Sequence, residues 1–113
     1  MKSLAILFLI LIPQISLPAE MIWLEPFCYE DGTPIPDEKA FDFTYRTYYG
    51  PSPVGPWNYG PVTYQGITRA IVPNPPPCKT WWYTVDAVLD GAVSQKAVPN
   101  YLTTPKRKGK CPK

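Results

Sequence analysis

Proline sets the first limit on what this chain can fold into. Sixteen prolines are spread through its 113 residues, and beyond the amino-terminal leader they break every window long enough for an amphipathic helix. Each removes a backbone donor and clashes with the preceding turn, so a helical core is excluded. The segments that survive between the prolines alternate. In the run from Phe41 to Tyr49, Phe41, Phe43, Tyr45, Thr47 and Tyr49 share one side, and Asp42, Thr44, Arg46 and Tyr48 the other. The run from Thr80 to Val88 sets Trp81, Tyr83, Val85 and Ala87 opposite Trp82, Thr84 and Asp86 in the same way. A period of two marks strands with one face turned to a core. Shorter strand candidates are Met21 to Leu24, Asn58 to Tyr64, Gly66 to Val72 and Ala97 to Thr103. Turn clusters separate them at Glu30 to Pro36, Gly50 to Pro56, Pro73 to Pro77 and Asp90-Gly91. Short strands punctuated by glycine and proline imply an all-β sandwich or barrel, and the prolines fall in the punctuation, where a missing N–H is harmless.

The amino terminus has a different character. Met1-Lys2 precedes an unbroken apolar run from Leu4 to Ile12, and Leu17-Pro18-Ala19 offers a small residue for cleavage. This is the pattern of a secretory signal peptide over residues 1–19, too short to span a bilayer core of ~30 Å as a helix. The body from 20 to 104 then carries a charge balance of −4, and the tail from 105 to 113 a balance of +5 from Lys106, Arg107, Lys108, Lys110 and Lys113. Basic residues without interleaved aromatics read as a solvated terminus before they read as a nucleic-acid or membrane contact.

Several chemistries are excluded by what is missing. The chain has no histidine, which removes the usual serine and cysteine catalytic arrangements, and it has no CxxC pair to hold a metal. The adjacent acids Glu30-Asp31 and Asp37-Glu38 lie in a proline-rich loop rather than across a cleft, as glycosidic chemistry requires. No phosphate-binding glycine loop occurs. A non-enzymatic protein without cofactor or metal is the expectation.

Four motifs in order resemble the fibronectin type III domain of bacterial and phage secreted proteins: Trp23 with Pro26; Asp31-Gly32-Thr33-Pro34; Tyr45 with Tyr48-Tyr49-Gly50; and the run Thr80 to Ala87. They run from about residue 22 to 104. The resemblance implies an antiparallel β-sandwich in which Trp23, Tyr45, Val85 and Ala87 face the core. It leaves two departures. Little chain precedes Trp23 once a leader is removed, so either the leader supplies the first strand or the sheet has an open edge. Trp81 also stands where the family has a tyrosine that ties its strand to the preceding corner.

The same topology places Cys28 at one pole and Cys78 at the other. It thus implies a Cys78–Cys111 disulfide and leaves Cys28 free. It also turns Arg46, Tyr48, Trp82, Thr84 and Asp86 outward as an aromatic and charged strip. Arg46, Tyr48, Trp82 and Asp86 are the expected partner-binding residues, with Trp57 and Tyr59 capping the end of the core. The expected function is that of a secreted or periplasmic binding module for a protein partner. The alternatives are a glycan-binding accessory module and a structural subunit completed by a donated strand.

Overall fold

The computed structural model describes residues 9–12, 19–26, 28–29 and 31–104, the first of these as backbone only. Eight strands occur among the described residues: β1 (Leu9–Ile12), β2 (Ala19–Trp23), β3 (Thr44–Gly50), β4 (Asn58–Thr63), β5 (Arg69–Val72), β6 (Thr80–Leu89), β7 (Ala92–Val93) and β8 (Asn100–Thr103). They form two antiparallel sheets. One has the order β1-β2-β5; the other runs β4-β3-β6, with β7 and β8 both pairing along the far side of β6. The two sheets face each other across one hydrophobic core.

That core is built by the alternation seen in the sequence. Trp23, Tyr45, Val85 and Ala87 are each at most 1% exposed, and Met21, Phe43, Tyr83 and Leu89 are buried with them. The Phe43 and Tyr45 rings stack with centroids 5.5 Å apart, and Trp23 meets Tyr45 edge-on at 5.3 Å. Burial of each such side chain contributes ~1.5–3 kcal/mol, the main term holding two sheets together without a covering helix. Two polar atoms go in with them. Trp23 Nε1 and the Tyr45 hydroxyl are buried without a hydrogen-bond partner among the described residues.

Element boundaries shift where local chemistry outweighs alternation. The strand expected from Phe41 starts at Thr44, because Asp37–Asp42 winds into a short 3-10 helix. Pro36 fixes the entry, two acids occupy the first turn, and Phe41 ends 75% exposed instead of joining the core. The strand expected over Ala97 to Thr103 is shortened to β8, and a further two-residue strand, β7, precedes it. Between them Ser94 pairs irregularly with β6: its N–H donates to the Ala87 carbonyl (2.9 Å) and its Oγ accepts the Ala87 N–H (2.8 Å). Three residues on, the Ala97 N–H donates to the Val85 carbonyl at 2.9 Å.

The apolar amino-terminal run also contributes a strand. Leu9–Ile12 pairs antiparallel with β2, Leu9 opposite Trp23 and Ile12 opposite Glu20, and supplies the first strand of the smaller sheet. Of the two alternatives left by the sequence, the full chain adopts this one.

The tie to the corner before β6 is also present, but on a different residue. Trp81 stacks on Tyr49 with centroids 5.0 Å apart, while Tyr83, two places on, donates its hydroxyl to the Pro73 carbonyl at 2.6 Å. Burial pushes the Tyr83 phenol well above its ordinary range. Tyr83 fills the role because it lies on the inward face of β6, where its hydroxyl reaches the bend that leaves β5.

Candidate outer-face recognition site

The inward residues of β3 and β6 determine what their other faces carry. Arg46 lies directly across from Asp86, Tyr48 from Thr84, and Gly50 from Trp82, so the residues expected to form an outward strip are brought together. Their exposure differs from the expectation. Asp86 is 2% exposed and Tyr48 is buried as well. Arg46 donates to Asp86 through Nε at 2.8 Å and Nη2 at 2.7 Å, and the Tyr48 hydroxyl donates to the second carboxylate oxygen at 3.0 Å. Such a bidentate, charge-assisted arrangement satisfies a buried carboxylate that would otherwise be costly. The carboxylate in turn holds the Arg46 guanidinium more firmly protonated. Burial, reinforced by the Asp86 charge, pushes the Tyr48 phenol up to about 12.

The segment between β7 and β8 lies along Tyr48 and Thr84. Lys96, on the irregular segment between β7 and β8, sets its ammonium 4.6 Å from the Tyr48 ring centre, and the Thr84 hydroxyl donates to the Ala97 carbonyl at 2.6 Å. Asp86 is therefore a structural anchor beneath the surface, and Arg46 is the member of the ion pair that reaches solvent, its side chain 39% exposed.

This face carries two aromatic pairs, of which Tyr59, Trp82 and Tyr101 reach the surface while Tyr48 is buried beneath. Tyr59 of β4 packs on Tyr48 of β3 at 5.8 Å, and Trp82 of β6 packs on Tyr101 of β8 at 5.0 Å. Trp57 closes over Gly50, where an added Cβ would lie 2.4 Å from the Pro56 carbonyl oxygen and 3.3 Å from the indole. Tyr59 is 85% exposed, so it does not cap the core as expected. The sequence holds no periodic signal for Tyr59 and Tyr101, because each joins its aromatic pair only through cross-strand register.

A bulge places Tyr59. Arg46 pairs with Val62 and Tyr48 with Tyr59, so Gly60 and Pro61 together oppose the single Thr47. The Thr47 hydroxyl donates to the Pro61 carbonyl at 2.7 Å, and a Cβ on Gly60 would fall 2.4 Å from that hydroxyl oxygen. Beside the bulge an open groove of ≈ 430 Å³ runs between β4 and β5, lined by Tyr49, Tyr59, Pro61, Ile71 and Pro73 among others.

At the cysteines, Cys28 is a half-buried free thiol in a small hairpin bridged to Pro34. Cys78 lies at the opposite end of the sandwich. Its backbone is left-handed (φ 63°), and its N–H donates to the Thr104 carbonyl at 2.7 Å while the Thr104 N–H returns to the Lys79 carbonyl at 3.1 Å. The chain thus leaves the domain beside Cys78. The other half of the expected pair, Cys111, and the basic tail lie outside the described residues, as do most of residues 1–19. Among the described residues no group of acids and cysteines is arranged to hold a metal, and no helix is long and apolar enough to cross a membrane.

No family model and no curated protein sequence matches the chain. Solved structures do. A fibronectin type III domain derived from human KIAA0970 protein superposes with a TM-score of 0.71 at 12% identity, over 97% of this chain and 80% of that one. The sixth fibronectin type III domain of human fibronectin type III domain containing protein 3 gives 0.69 at 13% identity, over 100% and 96%. Domains A168–A170 of titin give 0.65 at 15% identity, over 92% and 33%. What is shared at such identities is architecture, and on that ground the chain has the fibronectin type III fold.

Proposed function

We propose that this protein is a non-enzymatic binding module, exported to the periplasm or the exterior through a cleavable leader over residues 1–19, that recognises a protein partner with the outer face of the β4-β3-β6-β8 sheet. The observation that carries the reading is the set of surface aromatics. Tyr59, Trp82 and Tyr101, with Arg46 on the same face, are the residue types that dominate protein recognition hot spots. They stand on paired strands braced by the Arg46–Asp86–Tyr48 network, with buried Tyr48 supporting Tyr59, so little side-chain freedom is lost on contact. The fold itself commonly serves as a binding or scaffold module, and function belongs to the surface grafted on it.

The test is recovery of partners from envelope extracts with the wild-type protein and with Trp82→Ala and Tyr59→Ser variants whose folding has been verified by circular dichroism. A partner held by the wild type and lost by both variants is expected. Equal recovery by all three would remove the outer face from consideration. A second reading, glycan binding, is favoured by the open groove beside the exposed Tyr59 ring, since sugar rings stack on such surfaces. It predicts a change in aromatic fluorescence with at least one member of a glycan panel, abolished by Tyr59→Ser.

A further inference from the structure

The smaller sheet depends on a strand that maturation would remove. β2 is its central strand, paired with β5 on one side and with β1 on the other. The β1 residues, Leu9-Ile-Leu-Ile12, fall inside the apolar run of the leader. Ala19, the last residue before the expected cut, is fully buried in the folded chain, so cleavage must come before folding, and the mature domain has to close without β1.

Resting on the leader reading proposed above, we infer that the uncovered edge of β2 is a strand-acceptor site, filled by an extended arm of a partner polypeptide. The Trp23 N–H donates to the Thr68 carbonyl on the β5 side, so by alternation it is the Ile22 N–H and C=O and the Glu20 C=O, opposite Ile10 and Ile12, that loss of β1 leaves unpaired, and strand edges of this kind are completed by β-augmentation. The geometry selects the occupant. β1 touches not only β2 but also β8 and β6 of the facing sheet, so the vacated place is a slot between two sheets and not an open flank. A single extended segment fits there. The edge of another folded domain, including a second copy of this one, would bring its own sheet against β8.

The occupant's chemistry follows from the strand it replaces: at least four uncharged, branched apolar residues without proline, running antiparallel to Glu20–Trp23. Proline is excluded because a strand joined to β2 must donate its own N–H groups to the ladder. Charge is excluded because Met21 and Trp23 line the slot on the core side.

Intact mass of the exported full-length product comes first. A product that keeps residues 1–19 refutes the leader reading and the acceptor site with it. A product that starts near Glu20 is then mixed with a synthetic peptide carrying residues 7–12 between solubilising lysines, and with the same peptide bearing Ile10→Pro, since Ile10 pairs with Ile22. Amide exchange at Ile22, the N–H that alternation turns toward the β1 side, should be fast in the mature protein alone and slow about ten-fold or more with the first peptide only. Amides that are already protected without peptide, or that respond equally to both peptides or to neither, would overturn the acceptor site while leaving the leader reading intact.

Discussion

Replacing Arg46 by methionine tests whether the Asp86 network is the anchor described here. Methionine keeps most of the apolar stem and removes the guanidinium, and with it both charge-assisted bonds to a carboxylate that is 2% exposed. Hydrogen bonds to charged groups contribute ~1.5–3 kcal/mol each, and breaking one side of a buried pair costs ~3–5 kcal/mol. Because the Arg46 side chain is itself 39% exposed, solvent compensates part of this, and the lower end of about 3 kcal/mol is expected at pH 7. The stranded carboxylate retains only the Tyr48 hydroxyl, and a buried charge without its partner is the costly part of the loss. Urea denaturation at pH 7, with unchanged m-value, measures it. Converting both partners, as Arg46→Met with Asp86→Leu, should restore much of the loss. A deficit below about 1 kcal/mol would mean that the pair behaves as an ordinary surface ion pair, and the reasoning would fail.

Other consequences are as direct. Burial raises the phenols of Tyr45, Tyr48 and Tyr83, so each keeps its proton in the folded state after the unfolded chain begins to lose its own near pH 10. Stability is thus fully present below pH 10 and falls as the pH rises toward 12, by up to about 1.4 kcal/mol per pH unit for each phenol; tyrosinate absorbance that rises only together with unfolding would show it. Tyr83→Phe should cost about 1–2 kcal/mol through the lost bond to the Pro73 carbonyl, whereas Tyr45→Phe should be neutral or stabilising because its hydroxyl has no partner among the described residues. Thermal melts of the two variants should therefore move apart, and equal losses would contradict the assignment. A Cys78–Cys111 disulfide would close a loop of about 33 residues and contribute ~3–4 kcal/mol; peptide mapping without reductant decides it, and a Cys28–Cys78 peptide would contradict the pairing.

The sequence announced its two long strands because both have one dry face, and a period of two survives even with sixteen prolines nearby. Alternation reports which side a residue takes, not what lies above it. Arg46, Tyr48, Trp82 and Asp86 were legible as a group for that reason. The burial of Asp86 was not, since alternation carries no sign of the Arg46 and Tyr48 bonds that satisfy its carboxylate. Phe41 misled for a related reason: it continues the alternation of β3 by chance, while Pro36 and the acids after it direct the backbone into a 3-10 helix. The tie to the Pro73 bend was sought at Trp81, by family position, when the inward direction of Tyr83 decides which side chain reaches it.

The bulge in β4 has a consequence for how this protein can vary. Tyr59 and Val62 are three residues apart, an odd number, yet both pair with outward residues of β3. Removing either Gly60 or Pro61 would leave them two apart and restore a one-to-one ladder, with both still opposite Tyr48 and Arg46 and only the local twist at Thr47 lost. Elsewhere in β4 a single-codon deletion has no extra residue to consume, and every side chain beyond the cut would change face. Related chains should therefore differ in length at Gly60-Pro61 more readily than at any other point of the strand.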